Sequence, residues 1–277
     1  MNLTTIMHPI LFKIKSLLLR TFYFKLEQQL LSGSAKSVSQ QAAVALFTTH
    51  KAASSILSVR LSHVMAENDY RIADLSSYFA KVDPEARSRF LNDTDWNSKV
   101  FAVPGVFHAA FRYPTAKVPV PPFKIILVLR DPRDVLVSYY FSFKFSHPIQ
   151  NQFAKSVHAD ATRLTIDEFV LKHADDFLQR YDSYSHWIGK PNVLFIRYED
   201  LIERPREIEE TLFVFIGIDS KPGSLFDESD FAVAAENPSQ HKRKVAAGDH
   251  REKLKSQTIT TLNKIFESHI QQLNYTF

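Results

Sequence analysis

The residues with the clearest chemical potential lie in FKIILVLRDPRDVLVSYYFSFKF, Phe123 to Phe145. Arg130 follows a branched apolar run, Asp131 can cap the next helix, and Pro132 sits where a missing N–H costs least. Free N–H groups and the positive end of the helix dipole would face the same side as Arg130, an arrangement suited to an anion. Ser138, seven residues beyond the cap, returns to the face of Asp131 and offers a hydroxyl. A second cationic turn lies upstream, in Thr48-Thr49-His50-Lys51-Ala52-Ala53-Ser54-Ser55. It joins the apolar run Val44–Phe47 to a helical pattern from Ile56 to Met65. Strand, short turn, lysine, paired hydroxyls and helix form the layout of a phosphate-binding loop. The Walker form G-x4-G-K-[ST] is absent, because no glycine is near. His108 is a third candidate. It follows Val100–Val103, read as a strand closed by Pro104-Gly105, and a histidine just past a strand end would lie where ligands bind and serve as general base. Taken singly, these features are also what a plain βα turn or a carbonyl-bonded histidine would present.

The elements that must position these groups read as alternating strands and helices. Ile125–Leu129 and Val193–Arg197 are buried-strand runs, the second ending in Tyr198-Glu199-Asp200. Thr165 with Glu168 forms a capping-box pattern opening a helical region that runs to Trp187. Pro205–Ile216 and Gln257–Leu273 carry apolar residues at helical spacing. Asn68–Asn97 carries no sharp signal, and His147–Arg163 reads as a loop of the kind that walls a substrate site. Four strands with polar residues at their ends and helices between predict an α/β fold, a single domain with a central parallel sheet flanked by helices. Residues 8–31 are apolar but interrupted by Lys13, Lys15, Arg20 and Lys25, too often for a membrane span. They read as an amphipathic segment that packs on the domain, makes peripheral membrane contact or binds a partner. With the polar stretch 32–41 as linker, the expected division is an N-terminal segment, 1–41, and a main domain, 42–277.

Composition narrows the function classes. Across 277 residues the net charge is +4, which suits an anionic ligand but falls short of a nucleic-acid-binding stripe. There is no cysteine, so disulfide, thiolate and cysteine–zinc chemistry are excluded and a reducing, cytoplasmic location is expected. No carboxylate–histidine cluster with metal-ligand spacing appears, so no metal is expected.

Four segments, in order, resemble the sulfotransferases that use 3′-phosphoadenosine 5′-phosphosulfate (PAPS) and release 3′-phosphoadenosine 5′-phosphate (PAP). TTHKAASS is similar to their 5′-phosphosulfate loop, and LRDPRDVLVSYYFS to their 3′-phosphate motif. RYEDL with the following RPREIEET resembles the next segment, and Arg243-Lys244 with Gly248-Asp249 their C-terminal R-K-G-x-x-G-D signature. The resemblance implies the nucleotide-binding, P-loop-like sulfotransferase fold and sulfuryl transfer from PAPS to a hydroxyl or an amine or amide nitrogen of a small molecule, such as a secondary metabolite. It implies that Lys51, Ala52, Ala53, Ser54 and Ser55 hold the 5′-phosphosulfate, with Lys51 on the leaving oxygen. Arg130, Ser138, Arg243 and Lys244 would hold the 3′-phosphate, Tyr198 would lie near the adenine, and His108 would be the base. His50 is a rival base. Ala53 and Val245 stand where the family has glycine, and His241 and His250 where it has aromatic residues. The acceptor site is expected around 70–97, 105–118 and 147–163, partly apolar through Tyr78, Phe107, Phe111, Tyr113 and Phe153. Two other classes remain beside this one: a membrane-associated glycan or lipid sulfotransferase, and a nucleotide-binding protein without sulfuryl activity. Acceptor identity and oligomeric state are left open by the sequence.

Overall fold

The structure, a computed structural model, describes residues 19, 22–112, 123–149, 151–219, 223, 225–227, 230–231 and 245–277. Five strands, β1 Val44–Thr48, β2 Arg71–Ala73, β3 Val106–Phe111, β4 Lys124–Leu129 and β5 Val193–Arg197, form one sheet in the order β2-β3-β1-β4-β5. The sheet is parallel. β1, β3 and most of β4 are buried, as continuous apolar runs in a parallel sheet require.

The chain divides into two compact units. The first comprises Met1–Phe47, Leu57–Ile126 and Lys190–Leu194. Its core is a cluster of phenylalanines, including Phe47, Phe79, Phe90, Phe101, Phe107, Phe111 and Phe123, with ring pairs such as Phe47–Phe101 at 5.2 Å. Gly105 opens β3 with φ +72, and a Cβ there would meet the Ser39 Cβ at 2.8 Å, so both conformation and space call for glycine.

The second unit comprises Thr48–Ile56, Leu127–Gly189 and Phe195–Phe277. Its longest helix, Ile166–Ser185, starts at the Thr165–Glu168 capping box and buries Phe169, Phe177, Tyr181 and Tyr184. The helix Pro132–Phe141 is capped by Asp131, whose carboxylate accepts from the Arg133 N–H, and continues into a π-helical turn, Ser142–Ser146.

Several sequence expectations are corrected. Val100–Val103 is not a strand, because Val100 and Phe101 end a helix, Thr94–Phe101, capped by Asp93. The interval Asn68–Asn97 contains β2 and the helices Leu75–Lys81 and Pro84–Asn92, capped by Asp74 and Asp83. His147–Arg163 is largely helical, with Gln152–Arg163 capped by Asn151. The closing helix is two helices, Ser256–Ile265 and Glu267–Gln272, separated at Phe266. Of residues 8–31, the described ones are 19 and 22–31, and they include a helix, Lys25–Leu31. No helix among the described residues is long and apolar enough to cross a membrane.

Candidate functional site

The second unit assembles its polar groups around the end of β4. The turn from Thr49 to Ser54 joins β1 to the helix Ser54–Glu67, and two of its residues are left-handed: Lys51 with φ 67 and Ala53 with φ 56. Such alternation is the backbone pattern that lets successive N–H groups converge, as in the nests that precede helix N-termini. Ala52 and Ser54 are buried, Lys51 and Ala53 half-buried, and Ser55 exposed. Alanine in a left-handed conformation costs about 1 kcal/mol that glycine would not.

Arg130 ends β4 facing this turn. Its Nη1 donates to the Lys51 carbonyl at 3.2 Å and its Nη2 to the Ala246 carbonyl at 3.0 Å. Its guanidinium carbon lies 4.5 Å from the centre of the Tyr198 ring, a cation–π geometry. The Tyr181 hydroxyl donates to the Arg130 carbonyl. The Arg130 side chain is almost wholly buried, and its Nε–H has no partner among the described residues. A buried, unsatisfied N–H on a cation suits an anionic ligand, because leaving it unpaired is costly.

Carboxylates frame the arginine. Glu199 accepts from the Asp131 N–H at 3.2 Å and from the Tyr275 hydroxyl at 2.5 Å. Burial raises the Glu199 pKa, against the lowering effect of the Tyr275 hydrogen bond and Arg130. Asp134, fully buried, accepts from the Gly248 N–H at 2.7 Å, the His250 N–H at 2.9 Å and the His250 Nδ1–H at 2.6 Å, and lies 3.7 Å from Arg130. Burial works to raise its pKa, but the His250 bond and the Arg130 charge outweigh it and hold the group well below the usual carboxylate range. Arg133 points elsewhere, to Asp131, the Asn263 side chain and the Thr276 carbonyl. Ser138 is half-buried in the helix Pro132–Phe141. Arg243 and Lys244 lie outside the described residues, as do His241 and Tyr113.

Of the two histidines singled out by sequence, His108 differs from the expected placement. His108 lies within β3 of the first unit, not past a strand end, opposite Ala45 of β1 and Ala73 of β2. Its ring is 1% exposed, packs edge-on against Phe101 at 4.9 Å, and has no hydrogen-bond partner at either nitrogen among the described residues. Burial pushes its pKa down to about 3. His50 is in the second unit beside Lys51, and its Nδ1 lies 3.0 Å from Arg180 Nη1. A guanidinium only donates, so Nδ1 accepts and the neutral ring carries its proton on Nε2. Of the aromatic residues expected at an acceptor pocket, Tyr78, Phe107 and Phe111 belong to the core of the first unit, and Phe153 is exposed.

Sequence reasoning missed Arg180, Tyr181 and the Asp134–His250 pair. Partners separated by 130, 51 and 116 residues leave no local pattern.

Comparison with known proteins agrees with this architecture. A family model, Sulfotransferase domain, matches residues 41–274. Sulfotransferase 4A1 of Homo sapiens is 30% identical over 108 residues, covering 37% of this chain and 34% of the relative. Sulfotransferase 1E1 of Cavia porcellus is 27% identical over 175 residues, covering 54% of each. The chain thus spans about a third to a half of the length of the curated relatives it matches. Among solved structures, mouse sulfotransferase SULT7A1 complexed with PAP is similar with a TM-score of 0.57 at 17% identity, covering 88% of both chains. Retinol dehydratase in complex with androsterone and PAP is similar with a TM-score of 0.53 at 15% identity, covering 84% of this chain and 82% of the other. These structural likenesses concern the fold, and the match that runs from residue 41 to 274 settles the kinship: the chain belongs to the sulfotransferase domain family.

Proposed function

We propose that this protein transfers a sulfuryl group from PAPS to a hydroxyl or an amine or amide nitrogen of a small-molecule acceptor. The observation that carries the reading is the hydrogen bond from Arg130 to the Lys51 carbonyl, which brings two cationic turns from different strands into direct contact. The left-handed residues of the Lys51 turn, and an Arg130 Nε–H without a partner among the described residues, fit an anion at each end of a nucleotide. The solved relatives named above were crystallised with PAP.

Lys51 would stabilise the negative charge that collects on the bridging oxygen as the sulfur–oxygen bond breaks in an in-line displacement. The N–H groups of Ala52 and Ala53, with the hydroxyls of Ser54 and Ser55, would orient the 5′-phosphosulfate. Arg130, Ser138, Arg243 and Lys244 would hold the 3′-phosphate, and Tyr198, already beneath the Arg130 guanidinium, would border the adenine. His108 receives no proton-transfer role in this reading, because both ring nitrogens are enclosed. Neither does His50, whose Nδ1 lone pair is engaged by Arg180. An acceptor that loses its proton with little assistance, such as a phenol or a neutral amine, matches this arrangement.

A second reading places the chain at a membrane surface. Phe22 and Tyr23 are 73% and 78% exposed immediately before Lys25, the pairing of aromatic and basic residues that interfacial segments use. Flotation with anionic vesicles, with and without residues 8–31, separates the two readings: co-flotation that depends on the segment supports the second.

Incubation with labelled PAPS and an acceptor panel, read by mass spectrometry, tests the main proposal. The expected result is addition of one sulfonate to at least one acceptor. Lys51→Ala should lower turnover about 100-fold or more, the scale of losing one preorganised charge contact, while PAP still binds. Undiminished turnover in that variant, or a wild-type protein that binds no PAP, would overturn the assignment.

A further inference from the structure

The residues that follow Arg243 and Lys244 in sequence are pinched between two groups one helical turn apart. Arg130 takes the Ala246 carbonyl at 3.0 Å, and Asp134 takes the N–H groups of Gly248 and His250 at 2.7 and 2.9 Å. Gly248 has φ 78, so the backbone turns sharply between the two amides that Asp134 receives. The His250 side chain closes the loop by donating Nδ1–H to the same carboxylate at 2.6 Å. Asp134 and His250 are 0% and 1% exposed, so these charge-assisted bonds form away from water, where they fix geometry most firmly. Asp134 also stands 3.7 Å from the guanidinium of Arg130. One carboxylate therefore orients both the arginine and the loop.

We propose that Asp134 and His250 are positioning residues that set selectivity for a 3′-phosphorylated nucleotide, by holding residues 246–250 against Arg130. The inference rests on the functional reading above, since it concerns the 3′-phosphate end of that nucleotide. Neither residue touches the nucleotide in this scheme. They act by keeping Arg130 and residues 246–250 in register. Without them the 3′-phosphate loses its prepositioned partners, while the 5′ end keeps the Lys51 turn.

The test is the ratio of dissociation constants for PAP and for AMP, which lacks the 3′-phosphate, measured by calorimetry well below the melting temperature. Asp134→Asn removes the charge, and His250→Phe removes only the side-chain donor. The wild type should prefer PAP strongly. Asp134→Asn should lower that preference at least tenfold, equivalent to about 1.4 kcal/mol, with AMP affinity within threefold of wild type. His250→Phe should shift the ratio in the same direction by a smaller factor, and His250→Gln, which keeps a side-chain N–H donor, should restore it toward the wild-type value. A purely structural role would lower the melting temperature and leave the ratio of the folded variants unchanged, which overturns the proposal. If Asp134→Asn does not fold, the His250 pair decides by the same criterion. A wild type that binds neither nucleotide refutes the functional reading instead.

Discussion

Replacing His108 by leucine exchanges an enclosed imidazole, unpaired among the described residues, for a hydrocarbon of similar volume and should alter how stability depends on pH. The folded protein holds the ring neutral, with a pKa pushed down to about 3 from the ordinary 6.5. Unfolded chains bind a proton there once the pH falls below about 6.5, so the unfolded state gains protons that the folded state refuses. The contribution of this site is therefore complete above 6.5 and is lost progressively as pH falls toward 3. The limiting slope is about 1.4 kcal/mol per pH unit, which integrates to about 2 kcal/mol between pH 7.5 and pH 5. That is a large share of a typical folding free energy of about 5–15 kcal/mol. Glu199, whose pKa burial raises, is a further titrating group, so the informative quantity is the difference between wild type and His108→Leu in urea unfolding at each pH. That difference should grow by about 2 kcal/mol in favour of the variant over the interval. At neutral pH the variant also avoids two unsatisfied buried nitrogens, each worth about 1–3 kcal/mol, against a repacking cost of similar size beside Phe101. Parallel pH profiles would refute the reasoning. So would a His108→Leu protein that binds PAP normally and loses all turnover, since that behaviour belongs to a general base.

Two further outcomes concern local backbone chemistry. Ala53→Gly should relieve the left-handed strain at φ 56 and raise the melting temperature by about 1–3 °C, after the added chain entropy of glycine is subtracted. A lower melting temperature would show that the turn does not hold that conformation. Thr165→Ala removes the hydroxyl that accepts the Glu168 N–H at 3.3 Å and should cost about 1 kcal/mol in urea unfolding. No measurable change would mean that the reciprocal bond from the Thr165 N–H to Glu168 suffices.

What could be read from the sequence was local. Ile125–Leu129, the Asp131 cap and Pro132 specify strand, turn and helix within ten residues, and the structure has them as read. Pro205–Ile216 ends where Gly217 adopts φ 79, the left-handed stop that only glycine supplies readily. The Val100–Phe101 pair misled because two apolar residues ending a short helix look like the start of a strand. The helix Gln152–Arg163 was hidden because its inward face uses small or modest residues, Ala154, Val157 and Ala161, in place of a strong apolar stripe. β2 is three residues long, and its place comes from pairing with β3 and not from its own pattern. In the site, lysine and arginine announced themselves by their turns. The groups that orient them did not, because Asp134 and His250 acquire meaning only once a parallel sheet has brought distant loops to one edge.

The concentration of buried charge at that edge has its own logic. Arg130, Asp131, Arg133, Asp134, Glu199 and His250 are all nearly excluded from water. Desolvating so many polar and charged groups is costly, and ion pairing offsets that cost only when hydrogen-bond geometry is nearly complete. Arg133 meets this condition, with Asp131, Asn263 and the Thr276 carbonyl around it. Arg130 does not. Its nearest carboxylate is 3.7 Å away, two of its donors rest on neutral carbonyls, and one has no partner among the described residues. The two arginines lie three residues apart: four side-chain hydrogen bonds tie Arg133 into the fold, and under the proposed function the less satisfied Arg130 meets an anion from outside. A fixed donor already stripped of water loses little more on binding, and it acts in a low-dielectric surrounding where its charge is felt most strongly.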